Sequence, residues 1–342
     1  MKINDDPIKQ IETIIVGGGQ AGLSVGRYLK EYGRPFLILE KSDSIGSAWA
    51  ERYDSLVLDS FAKYGQLDGF PFPGDLMRKP TKDEVVAYLQ SFAKKYGLSP
   101  QFSTEVSKIE KVDGSFLVHT NRGIYRCRFV VLATGPFHKP FLPKEALNIP
   151  KDIYQIHSKN YLNPSQLRPG KTLVVGGGNS GAEIAEEILE AGREVLFSFK
   201  GRLKSIKNSS FSQWLGYRLG LAHVPRRSLL GKLIIWYTKG KAVGVNTKKL
   251  LRSPLLRTVG EFSGELVKDV SNIVWATGYA SDFSIVSIPG FDPTAQKRGV
   301  ANILGLYLLN IRWQYTKSSS HLAGISRDAK YLAKDIMNKS NQ

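Results

Sequence analysis

Residues 14–41, IIVGGGQAGLSVGRYLKEYGRPFLILEK, align without a gap with residues 173–200, LVVGGGNSGAEIAEEILEAGREVLFSFK. Each copy reads as an apolar strand, a G-x-G-x-x-G turn, a helix with apolar residues at helical spacing, and a second apolar strand. One such turn alone is a weak indication, but two copies in complete strand-turn-helix-strand context make coincidence improbable. The chain is therefore predicted to have an α/β fold with two Rossmann-like dinucleotide-binding domains.

The glycines of both turns are candidates for contact with a dinucleotide pyrophosphate. In such turns the first glycine permits the tight bend, the second lets the pyrophosphate approach the backbone, and the third lets helix and strand pack closely. The pyrophosphate then lies at a helix N-terminus, where free N–H groups and the helix dipole favour negative charge. The candidates are Gly17, Gly19 and Gly22 in the first turn, and Gly176, Gly178 and Gly181 in the second, with Asn179 and Ser180 at the start of the second helix.

The strands that follow the two turns end in residues of opposite charge. The first strand reaches Glu40, whose carboxylate is expected to bind the paired hydroxyls of an adenosine ribose. The aligned position in the second copy is Phe199, followed by Lys200 and Arg202. A carboxylate there would repel a 2′-phosphate, whereas two cations would attract one. The second site is thus predicted to bind NADPH rather than NADH, unless both cations are only solvated surface residues.

One segment accounts for most of the net charge of +18 on this chain of 342 residues. Residues 200–257 contain 14 Lys or Arg and no Asp or Glu. Such confined charge indicates an anionic partner, although surface solvation alone is an alternative. Residues 214–241 interleave Trp and aliphatic side chains with cations, which suits an anionic membrane surface. The plainer alternative there is a buried helix whose basic residues rim the cofactor cleft. Nucleic acid is not predicted as a partner, because no module that binds it is recognisable.

Cysteine content and the N-terminus limit the compartment and the chemistry. The only cysteine, Cys127, excludes an intramolecular disulfide, a CxxC redox pair and a multi-cysteine metal site, and no metal is predicted. It lies in the strand-like YRCRFVVLATG, where a buried, inert thiol is favoured over a reactive one. The N-terminus lacks a signal pattern and no uncharged apolar run approaches ~18 residues. A cytoplasmic location is therefore predicted, with peripheral membrane association as the alternative that residues 214–241 raise.

Further segments extend the pattern over nearly the whole chain. They are GSAWAERYDSLVLDS (46–60), LDGFPFPG (67–74), KPTKDEVVAYLQSFAKKYGL (79–98), VVLATGPFHKP (130–140), HSKNY (157–161), WATGY (275–279) and GLYLLNIRWQYTKSSSHLAGISRDAKYLA (305–333). Together with the two turns, this ordered set resembles the flavin-containing and Baeyer–Villiger monooxygenases, including the plant indole-pyruvate monooxygenases. It is most similar to their compact bacterial relatives, flavoproteins described as associated with cation or potassium transport.

The resemblance implies an FAD-binding domain, residues 1–165 and 277–342, interrupted by an NAD(P)H-binding domain, residues 166–276, with a basic insertion at 200–257. The two A-T-G segments are then expected to mark the crossings between the domains. They supply the candidates Ala133, Thr134 and Gly135 at the first crossing, and Thr277 and Gly278 at the second. By the same resemblance, FAD is expected to be bordered by Gln20, Lys41, Trp49, Val106 and the N-terminus of a helix that begins near Ser320. A polar helix residue, an exposed aromatic residue and a core valine would look much the same.

The sequence departs from the family pattern in three places. The monooxygenase fingerprint F-x-G-x-x-x-H-x-x-x-[FYW] retains only His157 and Tyr161, with Lys151 and Ile153 at the Phe and Gly positions. The stretch TVGEFSGELVKDVSNIV before WATGY is shorter than in relatives, so the NADPH domain is expected to be abbreviated. Asn310 replaces a usual glycine in the GLY-x-x-G turn beside the flavin.

The resemblance implies an FAD-dependent NADPH oxidoreductase of the monooxygenase class. In that class NADPH reduces the flavin, O2 forms a C4a-hydroperoxide, and a small nucleophilic or carbonyl substrate is oxygenated. Two alternatives stay open: an NADPH-dependent flavin reductase of a small acceptor such as a quinone, and a redox regulatory subunit linked to cation transport. The shortened NADPH domain and the incomplete fingerprint favour the first of them.

His157 is the candidate catalytic residue. In relatives the fingerprint histidine lies at the junction of the two domains and helps couple nicotinamide binding to flavin chemistry. The alternative is a linker histidine that hydrogen-bonds the backbone. Asp59 and Ser60 follow the strand-like SLVL and are expected to face the isoalloxazine ring, unless they only cap a turn.

Overall fold

The structure is a computed structural model that describes residues 8–137, 139–201, 203–206, 209–238, 241–243, 247–312 and 314–341. Its strands are β1 (Lys9–Gln10), β2 (Thr13–Val16), β3 (Phe36–Leu39), β4 (Val106–Val112), β5 (Ser115–Thr120), β6 (Gly123–Cys127), β7 (Phe129–Leu132), β8 (Lys139–Pro140), β9 (Tyr154–His157), β10 (Thr172–Val175), β11 (Val195–Ser198), β12 (Lys204–Ile206), β13 (Lys241–Val243), β14 (Leu256–Val259), β15 (Asn272–Trp275), β16 (Tyr279–Ala280) and β17 (Leu306–Leu308). Its helices are α1 (Gln20–Glu31), α2 (Ser47–Ala50), α3 (Lys82–Tyr96), α4 (Asn179–Glu190), α5 (Ser210–Arg218), α6 (Leu229–Thr238), α7 (Thr247–Leu250) and α8 (Leu322–Ser340).

The first glycine-rich copy forms the centre of a parallel sheet with the strand order β17-β7-β2-β3. Every residue of β2 and β7 is buried, as expected of strands that are covered on both faces. Helices α1, α3 and α8 share an apolar core with one face, and the other face packs on the mainly antiparallel sheet β1-β6-β5-β4. The glycine turn after β2 therefore lies at the carboxyl edge of the parallel strands, where dinucleotides bind.

The second copy forms the centre of a parallel sheet with the strand order β14-β11-β10-β15-β9. Strand, helix and strand of the two copies differ by one constant offset in residue number, so the gapless alignment holds in three dimensions. The prediction of an α/β fold with two Rossmann-like domains is confirmed.

The start of the second domain needs a correction. Strand β9 pairs with β15, Tyr154 opposite Asn272 and His157 opposite Trp275, so residues 154–157 belong to the second sheet. The expected bound between 165 and 166 assigns them to the first domain. The physical reason is that β9 is an edge strand outside the repeated unit, and the internal repeat therefore carries no signal for it.

Two short strands link the sheets. Strands β8 and β16 follow the first and second A-T-G segments and pair antiparallel, Pro140 with Tyr279 and Lys139 with Ala280. The chain thus leaves the first sheet after β7 and returns to it after β15 through one paired connection. This path agrees with the crossings expected at the two A-T-G segments.

The thiol of Cys127 and the basic segment have opposite surroundings. Cys127 is buried between the first two sheets, and burial raises the pKa of its thiol to about 12, which agrees with the predicted inert cysteine.

Helices α5 and α6 of the basic segment instead expose large apolar side chains, Leu229 and Trp236 among them. Complete burial of these helices is therefore contradicted, since no part of the chain that the structure describes covers these side chains. No helix within the described ranges is both long and apolar enough to cross a bilayer.

Candidate cofactor and active site

Two of the three glycines in the first turn are required by the fold itself. Gly17 has φ +107°, in the left-handed region, and a Cβ there would lie 2.6 Å from the Ala133 carbonyl oxygen. A Cβ at Gly22 would overlap the Gly17 carbonyl oxygen. Gly19 is different, because its φ of −76° suits any residue and a Cβ there would meet no described atom within 4 Å. The open space at Gly19 is a cradle that a Cβ would fill.

The second turn repeats this pattern. Gly176 has φ +120° and packs on the Ala276 carbonyl, and a Cβ at Gly181 would overlap the Gly176 carbonyl oxygen. Gly178 has φ −82° and, within the described ranges, nothing within 4 Å of a Cβ. In both turns, therefore, neither backbone strain nor protein packing requires the middle glycine. The open space beside each middle glycine would let a pyrophosphate approach the backbone.

The helices that follow the two turns begin without a side-chain cap. Helix α3 begins with a complete capping box, in which Thr81 accepts from the Glu84 amide and Glu84 accepts from the Thr81 amide. Helices α1 and α4 begin at Gly19 and Gly178, and no described side chain caps either of them. Their first amides are thus available to an anion, and together with the two open cradles they fit the pyrophosphates of FAD and a nicotinamide dinucleotide.

The two strand ends differ as the sequence predicted. The Glu40 carboxylate accepts hydrogen bonds from the Gly18 amide at 2.6 Å and the Ser42 amide at 2.9 Å, which hold it beside the first turn. Phe199 occupies the matching place, with its Cβ 2.9 Å from where a Cβ of Gly177 would lie. An apolar ring there offers no acceptor for a ribose hydroxyl.

Lys200 is exposed beside the second turn and pairs with Glu261, Nζ to Oε2 at 3.4 Å. An ion pair that is this exposed contributes little, so a phosphate can compete for the ammonium group. Glu261 follows β14 and would itself weaken the attraction for a 2′-phosphate. The other predicted cation, Arg202, lies outside the described residues.

Of the residues expected around FAD, Gln20 and Trp49 contact each other. The Trp49 indole donates to the Gln20 side-chain oxygen at 3.2 Å, directly at the start of α1. Lys41 is exposed next to the strand end. Val106 begins β4 and is buried in the apolar cluster between the two sheets, as an ordinary core valine would be.

The first A-T-G segment lies against the first glycine turn. The Ala133 amide donates to the Val16 carbonyl at 2.9 Å, and the Ala133 carbonyl faces Gly17. Thr134 is exposed. Gly135 has a left-handed φ of +86°, and a Cβ there would lie 3.8 Å from the Asn310 Nδ2. These residues therefore form one wall of the first cradle.

Asn310 adopts the backbone conformation of the glycine that it replaces. Its φ is +69°, in the left-handed region that Asn tolerates better than most residues. The side chain is buried, and no described residue donates a hydrogen bond to its Oδ1. A buried acceptor of this kind beside Gly135 fits a donor on the flavin side of the cradle.

Two variants, Asn310→Ala and Asn310→Gly, should separate the role of the left-handed backbone from the role of the side-chain acceptor. The alanine variant should lose about 1 to 2 kcal/mol of unfolding free energy, because Cβ strains a left-handed backbone without the local side-chain compensation of Asn. The glycine variant should retain the stability and yet hold FAD more weakly. Urea denaturation and flavin retention on dialysis measure both, and equal stability of the two variants would contradict the assignment.

The second A-T-G segment is held by the connection between the domains. The Thr277 hydroxyl donates to the Phe141 carbonyl, and the Gly278 carbonyl accepts from the Phe141 amide at 2.9 Å. His157 is buried beside it, with Nε2 3.1 Å from the same Gly278 carbonyl, while Nδ1 accepts from the Lys159 amide at 3.0 Å. Burial lowers the pKa of His157, in keeping with a neutral ring that donates through Nε2. Both ring nitrogens are engaged by backbone, as in the alternative of a linker histidine.

Arg52 is a residue that the sequence did not single out. Its guanidinium donates to the Ser180 hydroxyl at 3.3 Å and to the Tyr279 hydroxyl at 2.9 Å, so it bridges the start of α4 and the second crossing. Lys82, at the start of α3, holds the loop by donating to the Arg52 carbonyl at 2.7 Å. A cation at this helix N-terminus suits a dinucleotide pyrophosphate.

The rest of the Arg52 loop also lies along α4. Asn179 donates to the Asp59 carboxylate at 2.8 Å, and the buried Tyr53 hydroxyl donates to Glu183. Asp59 therefore joins the two domains, whereas Ser60 is half-buried beside Gly65. These contacts span well over a hundred residues, and no local motif marks them.

The contact between the Arg52 loop and α4 joins the two domains, and we call it the seam. Burial changes the pKa values of the ionisable side chains in it. It raises the pKa of Asp59 to about 6, against the opposing effects of Lys79 and Asn179, and the pKa of Glu183 to about 7. Burial also lowers the pKa of Lys317, which lies near Asp59. Two carboxyl groups whose pKa values are raised by burial thus lie along α4, between the two domains.

The C-terminal helix begins two residues later than expected. Ser320 ends a short 3₁₀ turn, Lys317–Ser320, and α8 begins at Leu322 without a cap from any side chain in the described part of the chain. The Ser318 hydroxyl donates to the Ala222 carbonyl at 2.9 Å, so the basic segment packs on this turn. The expected orientation of this helix N-terminus toward the flavin stays a prediction.

Known proteins similar to this chain include oxidoreductases and flavin-containing enzymes. A protein from Geobacillus kaustophilus (strain HTA426), "Uncharacterized oxidoreductase CzcO-like", is 39% identical over 346 residues, which cover 96% of this chain and 99% of that protein. The solved "Flavin-containing monooxygenase from Stenotrophomonas maltophilia" has a TM-score of 0.76 at 22% identity, over 97% of this chain and 100% of that chain. The "OTEMO complex with FAD and NADP" has a TM-score of 0.71 at 14% identity, over 98% and 87%. These two structures show the shared fold.

A family model described as "Pyridine nucleotide-disulphide oxidoreductase" matches residues 14–302. The family binds FAD and NAD(P)H. The resemblance to flavin-dependent oxidoreductases related to the flavin monooxygenases is confirmed. The chain therefore belongs to the pyridine nucleotide-disulphide oxidoreductase family and is a flavin-dependent oxidoreductase.

Proposed function

We propose that the chain is an NADPH-dependent FAD monooxygenase that uses O2 to oxygenate a small nucleophilic or carbonyl substrate. The observation that carries the proposal is the pair of open, uncapped glycine turns, with Glu40 beside the first and Phe199 with Lys200 beside the second. This pair supports one cofactor bound through a ribose diol and a second one that carries a 2′-phosphate. The monooxygenase name of the structural relative from Stenotrophomonas maltophilia supports the reaction class.

FAD, when bound, supplies hydride acceptance and oxygen activation. The residues of the chain would bind the two cofactors and orient them. The first amides of α1 would hold one pyrophosphate and Glu40 the ribose hydroxyls, while the first amides of α4 and Arg52 would hold the other pyrophosphate. The loop that carries Arg52 and Asp59 bridges the two domains, and this bridge would limit access of water to the reacting groups.

The cysteine content separates this chain from the disulphide reductases that the family name covers. A reductase of that kind relays electrons through a pair of cysteines. This chain has one cysteine, and the thiol of Cys127 is buried with its pKa raised to about 12. Electrons would therefore have to leave a bound flavin without the help of a protein dithiol.

Lys200→Glu tests the choice of nicotinamide. Under anaerobic conditions the wild-type holoenzyme should be reduced faster by NADPH than by NADH at equal low concentration. The variant should lose this preference by about tenfold, because one attractive contact with the 2′-phosphate becomes a repulsive one. Stopped-flow flavin absorbance measures both rates. Lys268→Glu, which changes an exposed lysine beyond the 3₁₀ turn Gly264–Val267, is the matched control. Equal use of both nucleotides by the wild type would contradict the proposal.

A flavin reductase of a quinone is the second candidate function. It is favoured by His157, whose two ring nitrogens are both engaged by backbone and leave no ring atom for a cofactor. The two functions differ in where the electrons go. A monooxygenase places one atom of each O2 in its product and reduces the other to water once its substrate is present, whereas a reductase consumes NADPH with an added quinone and releases peroxide without one. Parallel assays of NADPH, O2 and peroxide with menadione present and absent distinguish them.

A further inference from the structure

Helices α5 and α6 present apolar side chains outward, which is the reverse of the usual arrangement in a surface helix. On α6, Leu229, Leu233 and Trp236 follow one another at helical spacing, and Leu229 and Trp236 are 87% and 75% exposed. On α5, Phe211, Trp214 and Leu215 form a second exposed stripe. We call these six side chains the apolar face. Exposed apolar stripes of this kind mark an interaction surface.

The cations around the apolar face identify the charge of its partner. Arg218, Arg226, Arg227 and Lys232 lie on or between the two helices and are exposed. The whole segment from 200 to 257 carries 14 basic residues and no acidic one. A partner that covers this face must therefore be anionic. A second copy of the chain, docked face to face, would bring two strongly positive surfaces together and is opposed by their repulsion.

The side-chain types indicate a bilayer rather than a folded partner. Trp, Phe and Leu beside Arg and Lys match the boundary between lipid headgroups and acyl chains, where rings and aliphatic chains enter the apolar layer and cations stay with the phosphates. A juxtaposed basic cluster adds attraction to an anionic leaflet. We propose that α5 and α6 dock the protein on an anionic membrane surface, with the apolar face inserted at headgroup depth.

Docking would orient the cofactor site. The basic segment is bound to the turns of that site: Gln213 donates to the Asp59 carbonyl at 2.9 Å, the Arg226 amide donates to the Tyr315 carbonyl at 2.7 Å, and Ala222 accepts from Ser318. With α5 and α6 on the bilayer, the seam at Asp59 therefore lies on the membrane side of the molecule.

Flotation of the purified holoprotein, followed by flavin absorbance, tests the docking. We expect binding to vesicles of phosphatidylcholine mixed with phosphatidylglycerol at ~0.1 M salt, and much weaker binding to phosphatidylcholine alone. Binding should fall at ~1 M salt, where the Debye length shrinks from about 10 to about 3 Å. Absence of binding to the anionic vesicles at low salt, or equal binding to both vesicle types, would overturn the proposal. Because flotation does not depend on turnover, its failure is independent of any failure of the monooxygenase assay.

Variants separate the apolar and the charged contributions. Leu229→Ser with Trp236→Ser should weaken vesicle binding by at least about tenfold, since two fully inserted side chains are lost. Leu147→Ser with Leu304→Ser, which changes residues 87% and 70% exposed outside the segment, is the matched control and should bind as the wild type does. Arg218→Gln with Lys232→Gln should weaken binding by about fivefold for each charge removed.

Two further outcomes would count against docking on lipid. If the control pair weakened vesicle binding as much as the Leu229 and Trp236 pair, the apolar face would have no special role. If gel filtration without lipid showed a dimer that Leu229→Ser with Trp236→Ser converts to a monomer, the face would belong to a second copy of the chain. Retained flavin in each variant verifies that the protein is folded.

Discussion

Gly178→Ala should leave the protein folded and loaded with flavin, yet slow its reduction by NADPH about a hundredfold at low NADPH. The backbone at Gly178 suits alanine, and a Cβ there would meet no described atom within 4 Å, so the variant has no reason to unfold. A methyl group in the open cradle would, however, keep the pyrophosphate from the amides of α4. A hundredfold loss corresponds to about 2.7 kcal/mol of binding free energy. Anaerobic reduction of the bound flavin over a range of NADPH concentrations measures it.

Gly19→Ala is the matched control in the first turn. The same open space lies at Gly19, so this variant should fold but be purified without flavin. Gly22→Ala and Gly181→Ala should instead yield little folded protein, because their Cβ atoms would overlap carbonyl oxygens of the turns. The two-cradle assignment is wrong if Gly178→Ala loses flavin or if Gly19→Ala keeps it.

Glu183→Gln should stabilise the protein at alkaline pH. Burial raises the pKa of Glu183 to about 7, so the folded state favours the neutral acid. As the pH rises above the unfolded pKa of about 4.3, the wild type loses stability until the pH passes the folded value, whereas glutamine does not ionise. The gain in unfolding free energy of the variant should therefore grow by about 2 to 3 kcal/mol between pH 5 and pH 8. Glutamine still accepts from Tyr53.

Urea denaturation of wild type and variant at pH 5 and pH 8 measures this difference. Glu190→Gln, at the exposed end of the same helix, removes only a surface ion pair with Lys249 and should change stability by less than about 1 kcal/mol at either pH. A stabilisation by Glu183→Gln that is the same at both pH values, or a destabilisation at pH 8, would show that Glu183 is ionised in the folded protein.

The protonation of Asp59 should depend on whether a dinucleotide is bound. Asp59, with its pKa raised to about 6, joins the domains through Asn179 at the start of α4. A pyrophosphate at that helix start would add negative charge near Asp59 and favour its protonated form further. Binding of the nicotinamide dinucleotide and proton uptake at the Asp59 carboxyl are therefore expected to be linked.

The two Rossmann units can be read from the amino-acid sequence, because each is a local pattern. Strand, glycine turn, helix and strand follow within 28 residues, and the contrast between Glu40 and Phe199 lies at the end of the same unit. Hydrophobic periodicity and glycine spacing act over such short distances, so one sequence suffices to read them. Asn310, too, was visible as a departure from a glycine pattern.

The contacts between the two domains depend on how the chain folds in three dimensions, and no local pattern predicts them. Arg52 reaches Ser180, Asn179 reaches Asp59, and Tyr53 reaches Glu183, across more than a hundred residues and between two separate sheets. The tertiary structure also determines that strand β9 joins the second sheet and that the apolar stripes of α5 and α6 face outward. The physical reason is that helical spacing fixes which side chains share a face, but the packing of the rest of the chain selects whether that face meets protein or solvent.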